Sequence, residues 1–188
     1  VIEIKIQDVD ISRLANAMAA AGKDLPHAIR RAVNHTGDKT RTQVVRALAA
    51  QTGAKYGVVR KALHITRANY SNLSYIIHGT GRHMSLKEFG MRTRTVRLGS
   101  LKTKRVQRYR VVSAAPWNKR RDFPGVFLGP GGHAYKRASD KRLPIEKLWG
   151  PSIPREMVRD MTREAFFSTV QSTLPARFEH ELYRVLPK

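Results

Sequence analysis

The sequence predicts an α+β fold: a mostly antiparallel sheet packed against a long N-terminal helix and C-terminal helices, with a basic β-hairpin projecting from it. Stretches of helical periodicity frame the chain, and between them the apolar spacing shortens to the alternation of strands. The positive charge is concentrated in that same middle. At 188 residues a single domain is expected over 1–188, divided into a strand plus helices (1–63), a β region (64–149) and C-terminal helices (150–188).

The opening "VIEIKIQDVD" alternates Ile2, Ile4 and Ile6 with Glu3, Lys5 and Gln7, the period of a half-buried strand, and lacks the unbroken apolar core of a signal peptide. "ISRLANAMAAAG" follows as a helix with Ile11, Leu14, Ala15 and Met18 on one face and Gly22 as its stop. Asp24 and Pro26 then start a second helix, carried by Ile29, Val33, Val44, Val45 and Leu48 to Gly53, with Gly37 marking a bend in its middle. "KYGVVRKALHI" reads as one more short helix. Thr36 to Leu63 therefore has the outline of a helix-turn-helix, a pattern shared with many proteins that never touch DNA.

From Ile65 to Ile145, "LSYIIHGT", "MRTRTVRL", "KRVQRYRVV", "GVFLGP", "HAYKRAS" and "RLPIEKL" read as strands between Gly-rich or charged turns. Two of them form the basic hairpin, which continues into the loop "WNKRRDF" and spans about 92–122. Arg92 and Arg94 share a face with Val96 and Leu98, while Arg108 and Arg110 share one with Val106 and Val112. Neither arm has a consistently apolar side, so burial as a core strand is not expected.

At the C-terminal end, Ser152 and Pro154 start a helix whose apolar stripe is Met157, Val158, Met161, Ala165 and Phe167. Pro175 interrupts the pattern, and Leu174, Phe178, Leu182 and Leu186 continue it, which predicts a kink or two consecutive helices. Before them, "KRLPIEKLWGPSIPREM" supplies Leu143, Ile145 and Leu148 as apolar contacts. Gly150 and Pro151 turn the chain, and Trp149 is expected beneath the corner.

With 41% hydrophobic and 27% charged residues the chain has a globular composition, and no stretch is long and apolar enough to span a bilayer. The absence of cysteine rules out disulfides and thiolate metal sites, and synthesis in a cytoplasm is expected. The outlier is a formal net charge of +22. Arg41 to Arg121 holds 19 Lys or Arg against one acid, Glu88, whereas the remainder holds 17 against 13. Such clustering requires a polyanion or an acidic protein surface as partner. The candidate contacts are Arg92, Arg94, Arg97, Lys102, Lys104, Arg105, Arg108, Arg110, Lys119, Arg120 and Arg121. Tyr109 and Trp117 are the principal candidate anchors for a protein interface, with Val96, Leu98 and Val111 beside them.

Catalytic groupings do not emerge, and neither a cofactor nor a metal site is expected. The seven histidines lack the paired spacing of a zinc helix, and "GTGR" and "GPGGH" lack the features of a phosphate loop. His78, His83 and Glu88 are near enough in sequence for a nuclease-like metal site, but a turn with polar flanks accounts for them equally well.

The ordered set "AVNHTGDKTRTQVVRALAAQTG", "VVRKAL", "SLKEFGMRTRT" and "RLPIEKLWGPSIPREM" closely resembles the prophage minor tail protein Z family, the tail completion proteins of tailed phages. The hairpin and "NKRRDFPG" are longer or more charged than the simplest form of that pattern. The resemblance implies a virion structural protein rather than an enzyme. It would complete the head-proximal end of the tail, so that head and tail join and the genome end is placed in the channel. It also implies a homo-oligomeric ring, commonly a hexamer, against the tail tube or a terminator ring, with non-specific contact to DNA and no membrane. A nucleic-acid-binding protein using helices 36–63 and the basic segment is the alternative.

Overall fold

The computed structural model describes residues 2–4, 15–81, 83–99 and 106–186. Its architecture is α+β. β1 (Ile2–Ile4) is followed by α1 (Ala15–Ala21), the 28-residue α2 (Leu25–Thr52) and the short α3 (Tyr56–Ala62). Next come β2 (Leu63–Thr66), β3 (Tyr75–Gly79), β4 (His83–Ser85), β5 (Arg92–Gly99), β6 (Val106–Ala114), β7 (Arg121–Phe123), β8 (Val126–Leu128), β9 (Ala134–Arg137), β10 (Ile145–Lys147) and β11 (Trp149–Ser152). One turn of helix, α4 (Ile153–Glu156), precedes the 24-residue α5 (Asp160–Tyr183).

Among the described residues the strands form four small antiparallel sheets: β1-β3-β2, β10-β9-β8, β11-β4 and β5-β6-β7. Three of their strands fall where the sequence suggests other structure. Leu63–Thr66 leaves the helical pattern to pair with β3, Arg121–Phe123 leaves the basic loop to pair with β6, and Trp149–Ser152 leaves the proline corner to pair with β4. Each is three or four residues long, too short for a period-2 pattern to show, and each exists because a neighbouring strand offers it a ladder.

The two long helices form the frame. They run antiparallel, because α2 is tied near its start to the end of α5 and near its end to the start of α5. At the first tie the fully buried Glu181 carboxylate faces Arg31, Arg177 and Arg184, with Arg31 Nε 3.0 Å from one oxygen and Arg184 Nη1 3.4 Å from the same one. At the other, Gln51 accepts hydrogen bonds from Thr162 Oγ1 (2.8 Å) and N (3.2 Å), and donates to the Glu156 carboxylate at 2.9 Å. Between the ties lie Ala32, Val33, Val44 and Leu48 of α2 and Phe166, Val170, Leu174 and Phe178 of α5, all buried.

Three helical expectations are corrected. Gly37 does not bend α2. It is buried in an unbroken helix, and a Cβ there would lie 2.4 Å from the ring of Tyr75, so this glycine is the seat for the first sheet. Tyr75 OH donates to Asp38 Oδ1 at 3.0 Å, and Arg67 Nη2 donates to both oxygens of the same carboxylate at 3.0 and 2.8 Å. Burial and the Asp38 charge push the Tyr75 phenol well above its ordinary pKa.

Pro175 lies inside α5, which continues as one helix to Tyr183. The interruption comes earlier: α4 ends at Glu156, and α5 begins at Asp160, whose φ is +43°. The break turns α5 about its axis, so the buried stripe runs Thr162, Phe166, Val170, Leu174, Phe178 and Leu182, while Val158, Met161 and Phe167 are left exposed.

The proline corner is inverted relative to expectation. Gly150 and Pro151 are buried, whereas Trp149 is 52% exposed and Leu143 and Ile145 also face outward. The cause is steric. A Cβ on Gly150 would sit 2.3 Å from the buried Phe89 ring, so the backbone itself covers that ring and strand alternation points Trp149 away.

Two outcomes test this frame. Replacing Arg31 and Arg177 together by Met is expected to cost about 3–5 kcal/mol in denaturant unfolding, because it strands a buried carboxylate, whereas Glu181→Leu costs much less as the partly exposed arginines move into water. Gly37→Ala is expected to destabilise by about 1–3 kcal/mol despite a helix-propensity gain of about 1 kcal/mol, since the Tyr75 ring must be displaced.

Candidate interaction surfaces

The basic hairpin is built from β5 and β6 in register, with Arg92 opposite Ser113, Arg94 opposite Val111, Val96 opposite Tyr109 and Arg97 opposite Arg108. Its base is core. Val111, Val112, Ser113 and Ala114 are buried, so Val111 holds the hairpin in place and is not available as a partner anchor. Alternation alone did not reveal this, because four consecutive residues here are buried, on both faces of the strand. Further out, Arg92, Thr93, Arg94 and Thr95 are exposed on the edge strand β5, and Tyr109 (41% exposed) and Arg110 lie beside them on β6.

Internal bonds divide the exposed cations. Arg94 is ion-paired with Asp122 on β7. Arg120 donates to Ser113 Oγ and to Gly90 O, both at 3.2 Å, tying the segment after β6 back to the start of the hairpin. Arg92, Arg110, Lys119 and Arg121 are exposed and carry no such bond among the described residues. Lys102, Lys104 and Arg105 lie outside the described residues.

Trp117 does not belong to the hairpin. It occupies a 3-10 turn, Pro116–Asn118, docked on the end of α2, where Asn118 Nδ2 donates to Ala50 O. Trp117 and Asn118 have φ of +53° and +57°, in the left-handed region that bulky side chains rarely enter. Trp117, 44% exposed, lines a groove of about 550 Å³ that Trp149 also lines. Lys147, Arg155 and Arg159 also line this groove, and the Lys147 ammonium sits 4.5 Å from the centroid of the Trp149 ring. Sequence reading placed Trp149 in the core and so missed it as a surface residue. No local signal gave this, since Trp149 continues the alternation of Leu143 and Ile145 and the contact that turns it outward, Gly150 on Phe89, joins distant segments.

The histidines grouped from sequence are separated by the fold. His78 on β3 lies 3.2 Å from Thr66 Oγ1, while His83 on β4 lies 3.2 Å from Gly150 O in a different sheet. Among the described residues, no three His, Asp or Glu side chains gather closely enough to hold a metal ion. The helix-turn-helix outline is present in form: α2 is capped by Gly53 and the seven-residue α3 follows, with Arg60 and Lys61 in its last turn, before the chain enters β2.

A family model described as prophage minor tail protein Z matches residues 11–187, nearly the whole chain. The chain belongs to the prophage minor tail protein Z family. It is therefore a structural protein of the phage tail and a component of the virion, with other tail proteins as its natural neighbours. The match takes in both long helices, the hairpin and the tryptophan groove. Searches of curated proteins and of solved structures gave no match. Among the described residues, no helix is long and apolar enough to cross a membrane.

The hairpin arginines should be separable from folding. Arg92→Ser with Arg110→Ser is expected to leave unfolding free energy within about 0.5 kcal/mol, and Arg94→Ser to cost at most about 1 kcal/mol through its exposed pair with Asp122, both read by denaturant melts.

Proposed function

We propose that this member of the prophage minor tail protein Z family completes the head-proximal end of the tail as a ring subunit, folded as one domain and acting structurally rather than catalytically. The observation that carries the reading is the charge distribution of a tail protein. A +22 chain displays Arg92 and Arg94 on the same hairpin face as the half-exposed Tyr109, with Arg110 exposed on the other face. Like charge repeated around a ring repels unless an acidic surface faces it, and the neighbouring tail tube or terminator ring is where such a surface would lie. Tyr109 supplies the apolar, hydrogen-bonding centre that charge alone would not give an interface. Arg97, Lys102, Lys104, Arg105 and Arg108 are further candidate contacts in the same stretch of sequence.

DNA in the channel is the second polyanion within reach, and phosphate neutralisation by the same residues would need no base readout. Binding of that kind weakens steeply with salt, whereas a protein interface with an apolar centre keeps a salt-resistant part.

A phage carrying a nonsense mutation in this gene is expected to make normal heads and tails of normal length that fail to join, seen by electron microscopy of lysates. Serine at Arg92, Arg97, Arg108 and Arg110 together should reproduce that phenotype with a folded protein. Absence of the protein from purified tails, or full infectivity without it, overturns the reading.

A further inference from the structure

We infer that the groove between Trp117 and Trp149 is a docking site for an acidic segment of a different protein, with an apolar side chain of that segment held between the two indoles. The groove is distinct from the hairpin, and the inference requires only that the protein has tail neighbours, not the head-proximal placement.

The chemistry of the walls identifies the occupant. Two tryptophans, 44% and 52% exposed, line one recess of about 550 Å³ in which Leu148 and Pro151 also take part, which gives it an apolar lining with two aromatic side chains. Around it stand Lys147, Arg155 and Arg159. The single acid on the lining, Glu156, is 7% exposed and already accepts a hydrogen bond from Gln51, so it offsets only part of that charge. An apolar pocket with a cationic rim selects an apolar residue flanked by carboxylates, and interfaces are anchored by aromatic side chains seated in such pockets.

A second copy of this chain is a poor occupant. It brings a net charge of +22 and only 14 acids in 188 residues. Single-stranded nucleic acid would satisfy the cations and stack on indoles, but duplex DNA offers no free base faces, and the lining holds two indoles rather than the continuous series of rings that tracks a strand.

Backbone geometry agrees with a site maintained for binding. Trp117 keeps a left-handed conformation that glycine would adopt without strain. The turn is held there by Asn118 bonding to Ala50 O and by close packing on Gly53, where a Cβ would lie 2.9 Å from Ala115 O. The Trp149 indole is presented by the Gly150–Phe89 packing described above. Both walls thus stand on rigid elements before any partner arrives.

Trp117 and Trp149 are the only tryptophans in the chain, so intrinsic indole fluorescence reports on this groove alone. Titration of the full chain with a short synthetic peptide carrying glutamates on both sides of a central leucine is expected to shift the emission saturably to shorter wavelength. Arg155→Ser with Arg159→Ser should weaken that binding at least tenfold, and Arg92→Ser with Arg110→Ser in the hairpin should leave it unchanged. Trp117→Gly is expected to keep or raise Tm while weakening binding, measured by calorimetric titration. An unchanged emission, an equal response to the glutamine version of the peptide, or tighter binding of oligo-dT overturns the inference. In assembled tails, a benzophenone side chain at position 149 should crosslink to an acidic stretch of another virion protein, and crosslinks confined to copies of this chain or to DNA would overturn it. The peptide titration stands whether or not the protein lies at the head-proximal end, so failure of the docking site and failure of that placement are read separately.

Discussion

Everything in this molecule hangs on the seam between α2 and α5, two antiparallel helices whose apolar faces are closed at each end by a buried or part-buried polar tie. At one end a fully buried carboxylate, Glu181, is shared among Arg31, Arg177 and Arg184. At the other, Gln51 satisfies both of its amide groups on Thr162 and Glu156. The ties are separated by about 20 residues on each helix, or about 30 Å of rise. Apolar burial between them is non-directional and would tolerate sliding by a turn. The polar ends do not, because any shift would leave a buried charge or amide unpaired.

From that seam the sheets are placed by close backbone approach rather than by large interfaces. Gly37 lets the Tyr75 ring lie directly on α2, which fixes β3 and with it β1 and β2. Gly150 does the same for Phe89, fixing β11 against the turn that precedes the hairpin. Small sheets of two or three strands have little stability of their own, so their positions follow from what their one or two large aromatic residues rest upon. The consequence for function is geometric. Trp117 lies in the connection between β6 and β7, so the base of the hairpin and the tryptophan groove are joined through one short segment.

The sequence by itself determined the class of the fold, the long helices, most of the strands and the concentration of charge. Periodicity over long stretches and a run of 19 cations against one acid are properties of composition and spacing, which need no partner to be read. Family membership was likewise legible, since it rests on ordered stretches of sequence. Tertiary structure decided which residues those elements bury. Gly37 looked like a helix breaker because its use, room for Tyr75, lies 38 residues away. Trp149 looked like core because tryptophan usually is, yet Gly150 took the inward position by admitting Phe89. Val111 looked like a surface anchor because it stands among arginines on the hairpin, yet packing at the hairpin's base buries it. In each case the deciding force was a steric or packing contact between distant segments, and such contacts leave no local periodicity to read.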